Sequence, residues 1–176
     1  MSSRRGRTRT VHQLVLAAVL TALALGLSLI DTALSSVLGA IPGAKLGLAN
    51  LVSLYAIYYM GLPWALAICT VRCLLGAVFA GQAMMFLFSI SGALGSILVM
   101  YALKRHVSIV KVSTAGGVAH NMMQLAAAGI LTATSGLLYY MPVLICLGTV
   151  SGFCLGIAAA LVFRRLPATL KRTTAA

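Results

Sequence analysis

The residue most able to do chemistry is Arg72, because it lies near the middle of a long apolar run, between Thr70-Val71 and Cys73-Leu74. A charged side chain at bilayer depth costs at least about 2.5 kcal/mol unless it faces a partner or a watery cavity. The chain has a single acidic residue, Asp31. Arg72 therefore either forms a structural ion pair with Asp31 or binds the anionic group of a substrate. The two interpretations are compatible if a ligand displaces Asp31 from Arg72.

A second group surrounds Lys45, in the stretch Ile-Pro-Gly-Ala-Lys-Leu-Gly-Leu-Ala-Asn of residues 41–50. Its proline and glycines predict a turn that opens a helix, and the N–H groups of a helix start beside a lysine suit a phosphate or a carboxylate. Lys45 is equally suited to anchor the helix at the lipid head groups. Asn50 lies within the apolar run and needs a hydrogen-bond partner. The spacing of a phosphate-binding Walker A loop is missing.

A third group is His120, Asn121 and Gln124. His120 and Gln124 are one helical turn apart and Asn121 adjoins them, so their side chains project toward one broad sector of a helix. Such a sector makes either polar contacts between helices or the rim of a ligand site. No second ligand stands at metal spacing from His120, and Cys69 and Cys73 lack a flanking histidine or carboxylate, so we predict neither a metal nor a cofactor.

The scarcity of carboxylates excludes several classes of function. Hydrolysis, phosphoryl transfer and most metal-dependent chemistry need carboxylates as general acids and bases or as Mg²⁺ ligands, and this chain supplies one. We therefore expect no catalytic residues. The net charge of +12 does not indicate nucleic-acid binding, because no soluble basic face remains once the apolar runs are assigned to a membrane.

These residues must be positioned by membrane helices. The chain is 61% hydrophobic with a mean hydropathy of +1.07, and apolar runs of about 20 residues are long enough to cross a bilayer. The run at 46–60 is shorter, so it is either a short tilted span or begins near Ile41. Because strand alternation is absent, we predict an all-α bundle of six transmembrane helices. The six predicted spans are 11–30, 46–60, 62–80, 84–103, 112–133 and 141–163.

The polar residues divide the chain into a basic segment at 1–10, a transmembrane domain at 11–163 and a basic tail at 164–176. The first run is longer than the core of a signal peptide and is expected to be a retained helix. Lysine and arginine cluster at both termini and in the fourth-to-fifth connection, so both termini are predicted to be cytoplasmic, in the inner membrane of a bacterium. The 41–47 loop and the Gly81-Gln82 turn are the candidate gates on the outer face.

Small residues at every fourth position form a seam on the first span, made of Ala18, Ala22 and Gly26. Another helix can pack tightly on such a seam, from this chain or from a partner. Similar seams recur at 92–96 and 148–152, so the pattern is weakly specific.

The segments 42–50, 89–94 and 117–124, together with Arg72 and Gly76, resemble the Gx transporter family, which is often labelled heptaprenyl diphosphate synthase component I. The resemblance covers about 11–164. More distantly, the chain is similar to the substrate-capturing S components of energy-coupling factor transporters, which are six-helix membrane proteins with a cytoplasmic N-terminus.

The resemblance implies a substrate-binding subunit for a small anionic or polar molecule such as a vitamin, a flavin or a prenyl-type precursor. It also implies partners, namely a transmembrane coupling subunit and ATPase subunits within the lipid membrane, with docking at Ala18, Ala22 and Gly26. The alternative is a noncatalytic membrane subunit associated with polyprenyl diphosphate and quinone biosynthesis. A capture site would be made of the residues singled out above: Lys45, Asn50, Arg72, His120, Asn121 and Gln124.

Overall fold

The computed structural model of the chain describes residues 2–37 and 46–165, and within these ranges it contains helices and no strands. This confirms the prediction of an all-α fold. A 3₁₀ helix, Ser135–Tyr140, precedes the last helix. The six α-helices are α1 Ser2–Val37, α2 Asn50–Tyr59, α3 Leu62–Ala80, α4 Ala83–Leu103, α5 Ile109–Thr132 and α6 Met141–Arg165.

Four segments of the described chain are long and apolar enough to cross a membrane: Thr10–Ser35, Leu62–Ala80, Ala83–Leu103 and Gly136–Arg165. The chain is thus a multi-pass membrane protein. The predicted run at 62–80 coincides with α3, and most other predicted ends lie within a few residues of a helix end. The first run is the exception, because α1 continues past Ile30 to Val37.

The largest difference from the predicted spans is at α2, which begins at Asn50 rather than residue 46 and has ten residues. Ten helical residues measure about 15 Å, roughly half the thickness of a bilayer core. The helix starts late because Gly47 adopts a φ of 76°, a left-handed conformation incompatible with a continuous right-handed helix. Residues 46–49 accordingly lead into α2 as a non-helical turn.

Helices α5 and α6 are held together by glycines. A Cβ atom on Gly148 would lie 2.8 Å from the backbone oxygen of Gly117, and one on Gly152 would lie 2.8 Å from that of Ser113. Gly156 continues the same face against Val110. The seam at 148–152 is therefore used within the bundle, where the absence of side chains lets the two backbones touch.

Helix α1 lies at the edge of the bundle, packed on α3 and α2. Ala17, Leu20, Thr21 and Ala24 are buried on its inner face. Large apolar side chains cover its other face and are more than half exposed, as expected for a surface that contacts lipid; among them are Val15, Val19, Leu23 and Ile30.

The two ends of the bundle differ in charge. At the basic end, which contains the α4–α5 connection, Lys104 Nζ donates to the carbonyl of Ile57 at 3.2 Å and so caps the end of α2. Burial lowers the pKa of Lys104, and the neighbouring Arg105 lowers it further. The opposite end contains the end of α1, the α3–α4 turn and the α5–α6 connection.

Candidate ligand-binding site

Arg72 lies just past the middle of α3 and is 5% exposed. Its Nη1 donates to Ser28 Oγ on α1 at 3.3 Å, and its Nη2 donates to Cys73 Sγ at 3.4 Å. Neither acceptor is a carboxylate. The guanidinium has five N–H donors, of which these two bonds use two, so its positive charge sits inside the bundle without a carboxylate partner among the described residues.

Asp31 does not pair with Arg72, although it is the chain's one acidic residue. Its carboxylate is 2% exposed and accepts the backbone N–H of Leu46 at 2.8 Å and of Gly47 at 2.9 Å. These two bonds fix the turn that leads into α2. The predicted structural pair between Arg72 and Asp31 is therefore absent among the described contacts, because backbone N–H groups bind the carboxylate.

A cavity of about 120 Å³ adjoins the guanidinium between α1, α3 and α4. Its inner wall is polar, with Ser28, Arg72 and Cys73, while Phe79 and Met85 stand at the α3–α4 turn. The cavity therefore extends from the buried cation toward the non-basic end of the bundle. Ser28 was not singled out from the sequence, although it lies three residues before Asp31 and thus on the same helical face.

A second cavity of about 250 Å³ lies between α4, α5 and α6. Asn121 Nδ2 donates to the carbonyl of Leu144 at 3.0 Å, so this amide joins α5 to α6. Gln124 is 6% exposed, and its Oε1 has no hydrogen-bond partner in the described part of the chain. Thr132 and Leu137 also line this cavity, which therefore lies toward the same end of the bundle as the first.

Helix α4 separates the two cavities. Phe88 lines the second cavity and Ser89 lines the first. One turn further, a Cβ on Gly92 would lie 2.8 Å from the backbone oxygen of His120 and 3.3 Å from the Cβ of Gln124. His120 is thus buried in a close contact between α4 and α5, and the predicted residues do not form one cluster around Arg72.

Asn50 is the first residue of α2 and is 6% exposed, and its Nδ2 has no hydrogen-bond partner within the described ranges. Its amide lies over the turn at Gly47, where a Cβ would stand 3.0 Å from Nδ2. Lys45, with the rest of the 41–45 stretch, lies outside the described residues.

The predicted docking residues are on the surface. Ala18 and Ala22 line an open apolar groove of about 520 Å³ between α1 and α3. Gly26 is exposed, and a Cβ there would meet no atom within 4 Å. Larger side chains would therefore be accommodated at Gly26 by this chain itself.

Residues 20–162 match the sequence model of the family described as heptaprenyl diphosphate synthase component I. The matched region runs from the middle of α1 into α6 and includes every residue proposed above for ligand binding. Comparison with curated proteins and with solved structures gives no match.

Proposed function

The chain belongs to the heptaprenyl diphosphate synthase component I family, and from this premise we propose that it is the substrate-binding membrane subunit of a transporter resembling energy-coupling factor systems. Its substrate is a small anionic or polar molecule taken up across the cytoplasmic membrane. In this proposal the chain is not an enzyme, since one carboxylate cannot assemble the acid–base or Mg²⁺ sites that most such chemistry needs.

The observation that carries the proposal is the buried guanidinium of Arg72 beside a cavity. Burying a charge is costly unless it is paired and hydrogen-bonded, and the groups it contacts here are a hydroxyl and a thiol. The chain's carboxylate is held by Leu46 and Gly47. An anionic ligand in the cavity would supply the missing charge and accept from the Arg72 donors that no described residue engages.

The direction of capture follows from the charge distribution. We propose six membrane crossings with both termini cytoplasmic, the half-length α2 completing its crossing with the turn that precedes it. Lys104, Arg105 and Lys111 then face the cytoplasm, and both cavities lie toward the outside. Residues 41–47 and the Gly81-Gln82 turn would act as gates.

Energy coupling would come from partner subunits. The sequence has no Walker A spacing, so ATP-driven uptake needs ATPases and a transmembrane coupling subunit. The exposed Ala18 and Ala22, together with the open space over Gly26, support a helix of that coupling subunit docking on α1.

The family description favours a second candidate, a noncatalytic membrane subunit associated with heptaprenyl or polyprenyl diphosphate and quinone synthesis. An open apolar groove such as the one between α1 and α3 is compatible with a prenyl chain. This candidate predicts copurification with a prenyl synthase subunit, whereas the capture proposal predicts a bound anion.

The test is native mass spectrometry of the protein gently extracted from its own membrane, comparing the wild type with Arg72→Gln. We expect a small anionic ligand on the wild type and its loss from the variant. Lys111→Gln is the matched control, because it removes an exposed cation at the basic end and should retain the ligand. If Arg72→Gln retains the ligand, Arg72 has a structural role and does not bind the ligand. A copurified prenyl synthase subunit would favour the second candidate.

A further inference from the structure

We infer that the Arg72 cavity selects a monocarboxylate with an apolar body over a diphosphate. This inference rests on the proposed function, because it assumes that the cavity beside Arg72 is the place where the anion binds. It narrows the substrate from any small anion to one chemical class.

Arg72 is the one charged side chain among the described residues that line the cavity. Asp31 lies one turn beyond Ser28 on the same helical face, and its carboxylate is buried. A ligand with one negative charge is balanced by the guanidinium. Among the described residues, no further cation lines the cavity to balance a second negative charge. Asp31 would repel that charge inside the bundle, where screening is weaker than in water.

The donors also match one carboxylate. Two guanidinium N–H groups bond Ser28 Oγ and Cys73 Sγ, which leaves three of the five for a ligand. The Ser28 hydroxyl accepts from Arg72, so its own hydrogen remains able to donate. Thr32 donates its hydroxyl hydrogen to the carbonyl of Ser28 at 2.9 Å and has none to offer. A carboxylate can accept two parallel N–H bonds from the guanidinium and a further bond from the Ser28 hydroxyl.

Apart from the Thr32 and Ser89 hydroxyls, the rest of the cavity is apolar, and it is narrow. Its volume of about 120 Å³ is well below the roughly 300–1,000 Å³ of pockets that enclose a whole drug-sized ligand. It therefore holds a head group and the first carbons beside Gly76, and the remaining body passes between Phe79 and Met85 toward the end of the bundle. Those side chains favour a hydrocarbon or a ring.

The experiment measures thermal unfolding of the full-length protein in detergent with three probes: hexanoate, its neutral amide hexanamide, and geranyl diphosphate. A ligand that binds the folded state raises its stability in proportion to its affinity. We expect hexanoate to stabilise the wild type, with an apparent Kd about tenfold or more below those of the amide and the diphosphate. The amide lacks the charge for a charge-assisted bond, and the diphosphate carries negative charge that the cavity lining does not balance.

Two variants keep the inference falsifiable. Arg72→Gln should respond alike to hexanoate and hexanamide. Gly76→Val fills the cavity while leaving Arg72 in place, and it should fold because the nearest atom to the new Cβ is Leu25 Cδ1 at 3.8 Å; it should lose the hexanoate response.

The results distinguish failure of the monocarboxylate class from failure of the proposed function. Stabilisation by geranyl diphosphate at least as strong as by hexanoate, and dependent on Arg72, would overturn the monocarboxylate class and leave capture of an anion standing. A response to hexanoate that is the same in the wild type and in Arg72→Gln would overturn both the inference and the assignment of Arg72 to the ligand.

Discussion

Asp31 offers the sharpest test of how the half-length helix α2 is held. Its carboxylate accepts two backbone N–H groups, from Leu46 at 2.8 Å and from Gly47 at 2.9 Å. These are the described contacts that fasten the turn before α2 to α1, and they bridge 15 and 16 residues of chain. Asp31→Ala removes both acceptors while keeping the helix-forming character of the position.

The magnitude follows from the count of bonds. A buried N–H that loses its acceptor costs about 1–3 kcal/mol, so two cost roughly 2–6 kcal/mol. Removing a buried carboxylate also recovers part of its desolvation cost, which reduces the expected loss to about 2–4 kcal/mol. Asp31→Asn keeps one acceptor oxygen, so we expect about half the loss, roughly 1–2 kcal/mol.

The assay is equilibrium unfolding by SDS in mixed micelles, followed by the fluorescence of Trp64, the single tryptophan. Hydrogen exchange of the amides of Leu46 and Gly47 should accelerate in the same variants. The control is Thr149→Val, because the Thr149 hydroxyl donates within its own helix to the carbonyl of Ile145 and its loss leaves no buried donor. If the free energy of unfolding of Asp31→Ala is within about 0.5 kcal/mol of the wild-type value and hydrogen exchange is unchanged, the two Asp31 hydrogen bonds do not hold α2.

Two further predictions concern the small-residue seams. Gly148→Leu should lower the free energy of unfolding by at least about 1–3 kcal/mol, since its Cβ would stand 2.8 Å from the backbone oxygen of Gly117. Gly26→Ala should change the free energy of unfolding little, because open space surrounds that position. Equal effects of the two substitutions in SDS unfolding would contradict this packing. Ala22→Leu should leave unfolding and ligand content unchanged but prevent copurification of a coupling subunit in a pull-down from membranes, and full retention of that subunit would remove α1 as the docking surface.

The helices themselves could be predicted because each depends on local sequence. The run at 62–80 coincides with α3, and the glycine and glutamine at 81–82 mark the turn that follows it. Apolar length decides whether a segment can cross a bilayer, and a continuous apolar run has no strand alternative in lipid. The start of α2 could not be predicted in this way, because it is set by the conformation of Gly47 and by the Asp31 carboxylate 16 residues before Gly47.

The candidate site was predictable as a set of residue types and not as a geometry. Arg72, Asn50, Asn121 and Gln124 were singled out because polar groups are costly in an apolar helix, and the structure buries all four. No sequence signal indicated that α4 separates Arg72 from Asn121 and Gln124, because this depends on how α4 rotates to present Gly92 to α5.

Composition and apolar length were enough to identify a multi-pass all-α membrane protein with a single carboxylate, because both are local properties of the sequence and need no knowledge of neighbouring helices. Helix packing selects the hydrogen-bond partner of each buried polar group. In the folded bundle, Asp31 accepts hydrogen bonds from the backbone before α2, and Arg72 lines a cavity. Hydrogen-bond partners distant in sequence are chosen by helix packing, and packing is a property of the assembled bundle.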